Sequence, residues 1–165
     1  MKTKYVLLAS ALMAASGYAT MAAAATDTTS FDAVIKIQNS CDANVATVND
    51  LDFGTKTFAD TNIGSTTDIS VKCTTDASYT IGLTAASGGT GSRTMSGPGS
   101  TSIGYEMYSN AGHTSVWGDT IGTDTVADTG NGSTQTKTVY GLVPSIPGTA
   151  TAGSYSDTVT VTVTY

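Results

Sequence analysis

Thr158-Val159-Thr160-Val161-Thr162-Val163-Thr164-Tyr165 alternates without a break between hydroxylated and apolar side chains. Successive side chains of a strand point to opposite faces, so this period of two describes a half-buried β-strand with Val159, Val161, Val163 and Tyr165 on the inner face. Val and Thr branch at Cβ and favour extended backbone, which reinforces the reading. Asp157 shares the parity of the valines, so the buried part of the strand is expected to begin after it.

The same alternation recurs upstream. Ile69, Val71 and Cys73 share a face, as do Tyr79, Ile81 and Leu83, and then Ile103, Tyr105 and Met107. Lys137 to Val143 is a further run and ends at Pro144. Turn signals separate these runs: Ser87-Gly88-Gly89, Ser96-Gly97-Pro98-Gly99, Asn110-Ala111-Gly112, Gly130-Asn131-Gly132 and Pro147-Gly148. Short strands joined by Gly-rich turns predict an all-β sandwich. Asn131-Gly132 reads as a hairpin turn, and residues 118–135, poor in apolar side chains, read as an exposed loop. No fixed internal period is present.

The opening residues set the compartment. Lys2 and Lys4 precede a run from Tyr5 to Met13 that is apolar apart from Ser10, and small residues end in Ala22-Ala23-Ala24-Ala25. This is the pattern of a secretory signal peptide over residues 1–25, with cleavage after Ala24 or Ala25. The apolar core is shorter than the roughly 20 residues a membrane span needs. After Thr26 the chain carries five basic and thirteen acidic residues, a formal charge of −8. That balance argues against nucleic acid and anionic lipid as partners. Its two cysteines, Cys41 and Cys73, are an even pair in an oxidising compartment and predict one disulfide.

Residues that carry chemistry are sparse. His113 is the only histidine and falls in a Gly/Ser-rich turn; no Gly-x-Ser-x-Gly elbow is present. Glu106 is the only glutamate, and the aspartates are scattered through turns, where they cap their own backbone. Asp124 to Gly132 lacks the alternating ligands of a calcium loop. Neither enzyme activity, nor a metal site, nor a cofactor is expected. Trp117 and the tyrosines admit two readings, a sugar-binding platform or the filling of a sandwich core.

Phe31, Ala33, Ile35 and Ile37 form one row of an alternating segment just before Cys41, and Asp32, Val34, Lys36 and Gln38 form the other. This is either an ordinary first strand or a strand that pairs with a neighbouring molecule.

Three stretches in order carry a family resemblance. The first runs from Phe31 to Cys41, then through Leu51-Asp52-Phe53-Gly54 to Ile69-Ser70-Val71-Lys72-Cys73. Next come Tyr105-Glu106-Met107-Tyr108-Ser109 and Val116-Trp117-Gly118-Asp119, and last Val139 to Pro144 with Ala152 to Val159 and the closing strand. Together they resemble the spore coat U-type domain, the subunit family of Csu-like, archaic chaperone–usher pili. Gly112-His113-Thr114 and Ile146-Pro147-Gly148 depart from the family pattern in loops, which bears on surface specificity rather than fold.

The resemblance implies an immunoglobulin-like sandwich lacking its final strand, with the groove beside Val159, Val161, Val163 and Tyr165 as acceptor edge. Residues 26–40, through Phe31, Ala33, Ile35 and Ile37, would be the donor strand for the next subunit, and residues 41–165 the pilin domain. It further implies a periplasmic chaperone, an outer-membrane usher and head-to-tail subunits as partners, a cell-surface location, and a role in adhesion and biofilm formation. A secreted coat or matrix protein of the same fold, or a carbohydrate-binding sandwich, are the alternatives.

Overall fold

The computed structural model describes residues 27–42 and 49–165. The signal peptide expected over residues 1–25 lies outside them. Nine strands form among the described residues: β1 (Cys41–Asp42), β2 (Thr61–Cys73), β3 (Ser78–Ala85), β4 (Thr94–Ser96), β5 (Ser102–Gly104), β6 (Glu106–Tyr108), β7 (Val126–Thr129), β8 (Thr134–Ser145) and β9 (Val159–Thr164). Every strand pair is antiparallel. One sheet runs β1-β2-β8-β6 and the other β7-β3-β9, with β4-β5 as a separate ribbon. No helix is long and apolar enough to cross a membrane among these residues.

Alternation produces the layers. Ile69, Val71 and Cys73 of β2 and Val139 and Val143 of β8 turn inward from the first sheet. Tyr79, Ile81 and Leu83 of β3 meet them from the second, and Met107 and Trp117 complete one cluster. The fold is therefore an all-β sandwich of two antiparallel sheets around one core. Gly141 is what lets the segment around Leu51 approach β8: a Cβ there would stand 2.6 Å from Leu51 Cδ2 and 2.9 Å from Phe53 Cζ. Phe53 packs edge-on against Tyr105, ring centroids 6.3 Å apart.

Three local expectations change. β2 begins at Thr61, well before the apolar run at Ile69, because β8 pairs with it along its length from Ser145 to Thr134. Residues 118–135 are not all loop, since β7 pairs with β3 there. Asn131-Gly132 is also no hairpin turn. β7 and β8 belong to different sheets, so residues 130–133 cross between them. Gly130 lies too close to Thr74 and Cys73 to carry a side chain, and Gly132 has φ +76°. The glycines answer to a sheet crossing, which local sequence does not distinguish from a hairpin.

Candidate functional site

Among the described residues, β9 is the edge of its sheet. Thr158 accepts a backbone hydrogen bond from Ala86 at 2.8 Å, and register continues to Thr164 opposite Thr80. Antiparallel alternation then turns the backbone groups of the threonines to β3 and those of Val159, Val161 and Val163 to the open edge. The same valines stay only half-buried, and Tyr165 is 61% exposed. An inner-face row that remains half-covered marks a core short of one element.

The space beside it is a groove of about 1170 Å³. Its apolar walls come from both sheets, with Ile63 and Ile69 of β2, Val143 of β8, and Leu83, Val159 and Val161 of the β3–β9 pair. Across the groove, β1 pairs with β2 at Cys73 and Lys72 among the described residues. Further along, Ser65 and Thr67 bond side chain to backbone with Asp52 and Asn49, at 2.6 and 2.5 Å. The open edge of β9 is a template surface for another strand.

Residues 27–40 form neither helix nor strand. Phe31 is 90% exposed, Ile35 86% and Ile37 70%. The segment's root is fixed: Cys41 and Cys73 face each other in register and form the disulfide expected from their number. Thr74 N donates to Ser40 O at 2.9 Å, and Ser40 N to Thr74 Oγ1 at 3.1 Å. Closing a 32-residue separation stabilises the fold by roughly 3–4 kcal/mol in the chain-entropy model. Cys41→Ser should therefore lower the melting temperature by roughly 10–20 °C and reduce exported yield; differential scanning calorimetry that returns the wild-type value would count against the staple.

Composition passed over one buried feature. Arg93 is 2% exposed and pairs with Glu106, which is 9% exposed. Arg93 Nη2 also donates to Leu83 O at 3.0 Å and Trp117 O at 2.9 Å. Glu106 accepts from the Gly91 and Met107 backbone N–H groups. The pair thereby links β3, β6 and the strand-like segment before Gly118, behind the groove wall at Leu83. One signal was available: these are the chain's only arginine and only glutamate, and the glutamate sits between Tyr105 and Met107.

The remaining candidates fall apart. Trp117 is 1% exposed and donates Nε1–H to Ile81 O at 2.8 Å, so it fills the core and is no sugar platform. His113 stands in the loop after β6 with its ring edge-on to Tyr108. Asp124 accepts from Thr120 N, whereas Asp128 pairs with Lys137, whose hydrogen bond holds the Asp128 carboxyl below its usual range. No cluster of acids, histidine or cysteine able to hold a metal forms among the described residues.

Fold and groove define the class: an incomplete, disulfide-stapled β-sandwich with one strand position open along β9. A family model, the Spore Coat Protein U domain, matches residues 27–162, and the chain belongs to that family. Among solved structures, one match is the crystal structure of the CsuC–CsuE chaperone–tip adhesion subunit pre-assembly complex from archaic chaperone–usher Csu pili of Acinetobacter baumannii. It is 21% identical, with a TM-score of 0.49, and the match covers 62% of this chain and 34% of that one. The comparison with curated proteins returned no match.

Proposed function

We propose that this chain is a structural subunit of a chaperone–usher surface pilus, polymerising by donor-strand complementation. One observation carries the reading: a half-buried valine row with an open backbone edge borders an apolar groove in a chain that also presents an exposed alternating segment. In this reading residues 26–40 are the donor strand and residues 41–165 the acceptor sandwich. Phe31, Ala33, Ile35 and Ile37 of one copy fill the groove of the next, and Val159, Val161, Val163 and Tyr165 form the edge they join.

Burying those four side chains contributes roughly 5–9 kcal/mol, at about 1.5–3 per large side chain and less for alanine. Backbone pairing with β9 adds to the barrier against dissociation. A contact between two different surfaces repeats without closing, so it yields an open fibre. Until the neighbour arrives, the exposed groove needs a temporary partner, which a periplasmic chaperone supplies before the outer-membrane usher exchanges it for the arm. The mature protein then stands on the cell surface as a pilus without catalytic function, supporting adhesion and biofilm formation.

Surface fractions should give a ladder of bands in unheated SDS gels that collapses to monomer on boiling, and electron microscopy should show fibres that vanish when the gene is deleted. A matrix protein that does not polymerise gives neither result. Nor does a sandwich that closes its own groove.

A further inference from the structure

The apolar row of β9 has a polar end. Asp157 keeps the parity of Val159, Val161 and Val163 but faces Tyr105, whose Oη donates to Oδ2 at 2.9 Å, and Ser87, whose Oγ donates to the same oxygen. Oδ1 accepts from Thr158 N at 2.8 Å. A carboxylate offers about four acceptor sites, so Oδ1 retains one. Asp157, Tyr105 and Val159 all line the groove, which therefore runs from an apolar stretch into a carboxylate with unused acceptor capacity.

The arm has a matching punctuation. Its apolar row is Phe31, Ala33, Ile35 and Ile37, and the next residue of that parity is Asn39, which is exposed. Four apolar positions on the arm meet four on the edge, Val159, Val161, Val163 and Tyr165. All pairing within this sandwich is antiparallel, and that arrangement is the more stable per residue. Laid antiparallel, Ile37 falls opposite Val159, Ile35 opposite Val161, Ala33 opposite Val163 and Phe31 opposite Tyr165. Asn39 then falls opposite Asp157 and brings an amide N–H to the unused acceptor site. A two-residue slip one way sets Ile37 against the carboxylate. The opposite slip carries the Asn39 amide into the valine row.

We propose that Asp157 is the register stop of the groove, selecting an incoming strand that places a neutral hydrogen-bond donor, here Asn39, immediately after its last apolar residue. The inference rests on the donor-strand reading. It deepens that reading by specifying the strand the site accepts: four alternating apolar positions followed by an amide or hydroxyl. An apolar side chain opposite Asp157 leaves a desolvated acceptor unpaired and weakens seating about tenfold or more.

Cross-linking in assembled surface fibres reads the register. Directly opposite, hydrogen-bonded residues stand about 5.5 Å apart at Cα, within disulfide range. Fibres carrying Ile37→Cys with Val159→Cys should give a boiling-resistant ladder that reductant dissolves. The slipped pair, Ile35→Cys with Val159→Cys, and the parallel pair, Phe31→Cys with Val159→Cys, should give at least about tenfold less. Adding Asp157→Leu should raise the slipped product to the level of the in-register one, whereas Asp157→Asn should leave the pattern unchanged. Asn39→Leu, on the exposed arm where the subunit's own fold is not at stake, should lower the in-register product about tenfold. An unaltered pattern in both leucine variants overturns the register stop, and dominant linkage through Phe31→Cys overturns the Asn39 pairing. Failure of the unmodified chain to form any ladder instead removes the donor-strand reading itself.

Discussion

Ile35→Asp should abolish fibres while leaving the subunit able to fold on its chaperone. Ile35 is 86% exposed in the described chain, so the subunit's own core does not depend on it. In the groove of a neighbour the same position would lose its share of apolar burial and place a carboxylate among valines and isoleucines. Lost transfer energy and the desolvation of an unpaired charge together exceed about 5 kcal/mol, which weakens seating by roughly a thousandfold or more. Unheated gels should show monomer alone, and the periplasm should still yield subunit bound to chaperone. Asp32→Asn and Lys36→Gln lie on the other row of the arm and should assemble normally. Fibres at wild-type levels in Ile35→Asp would end the donor assignment.

Arg93→Met should strongly destabilise the sandwich itself. Removing the guanidinium leaves the Glu106 carboxylate buried without its partner, and the carbonyls of Leu83 and Trp117 lose a donor. Breaking one side of a buried pair costs about 3–5 kcal/mol, a large part of the 5–15 kcal/mol that holds a typical domain together. Urea denaturation of the purified protein should show the loss as a lower midpoint. The double variant Arg93→Met with Glu106→Leu removes both charges and should recover most of the stability, because an ion pair in an apolar interior is opposed by the desolvation of both ions. A double variant as unstable as the single one would show that the carbonyl contacts of Arg93, rather than its charge, dominate.

Both predictions concern the same wall of the groove from opposite sides. Leu83 lines it, and its carbonyl is tied to Arg93 behind it. On the proposed reading the slot stays open until a strand arrives, and the buried guanidinium, bonded to Glu106 and two backbone carbonyls, stiffens the wall behind Leu83 with directional bonds.

Much of this was legible residue by residue. Alternation from Val159 to Tyr165 located the last strand and its inner face, but Asp157, expected to precede the buried part, is half-buried like the valines because Tyr105 and Ser87 bond its carboxylate. Cys41 and Cys73 were paired by number and compartment, and they face each other across β1 and β2. Other features were hidden because the physics behind them is not local. Residues 61–68 carry too few apolar side chains to signal a strand, yet β8 holds them in one through its backbone ladder. Asn131-Gly132 has the chemistry of a hairpin turn but joins strands of different sheets.

By itself the sequence determined the all-β class, the inner and outer faces of the strands and the cysteine pairing. Each of these follows from side-chain chemistry along a short stretch of chain. Only the tertiary structure decided that β9 has one free edge, that a groove opens beside it, that Trp117 is core and that Arg93 meets Glu106. A period of two reports which face of a strand is buried and is silent about which edge is bonded. That second choice is made by strands distant in sequence.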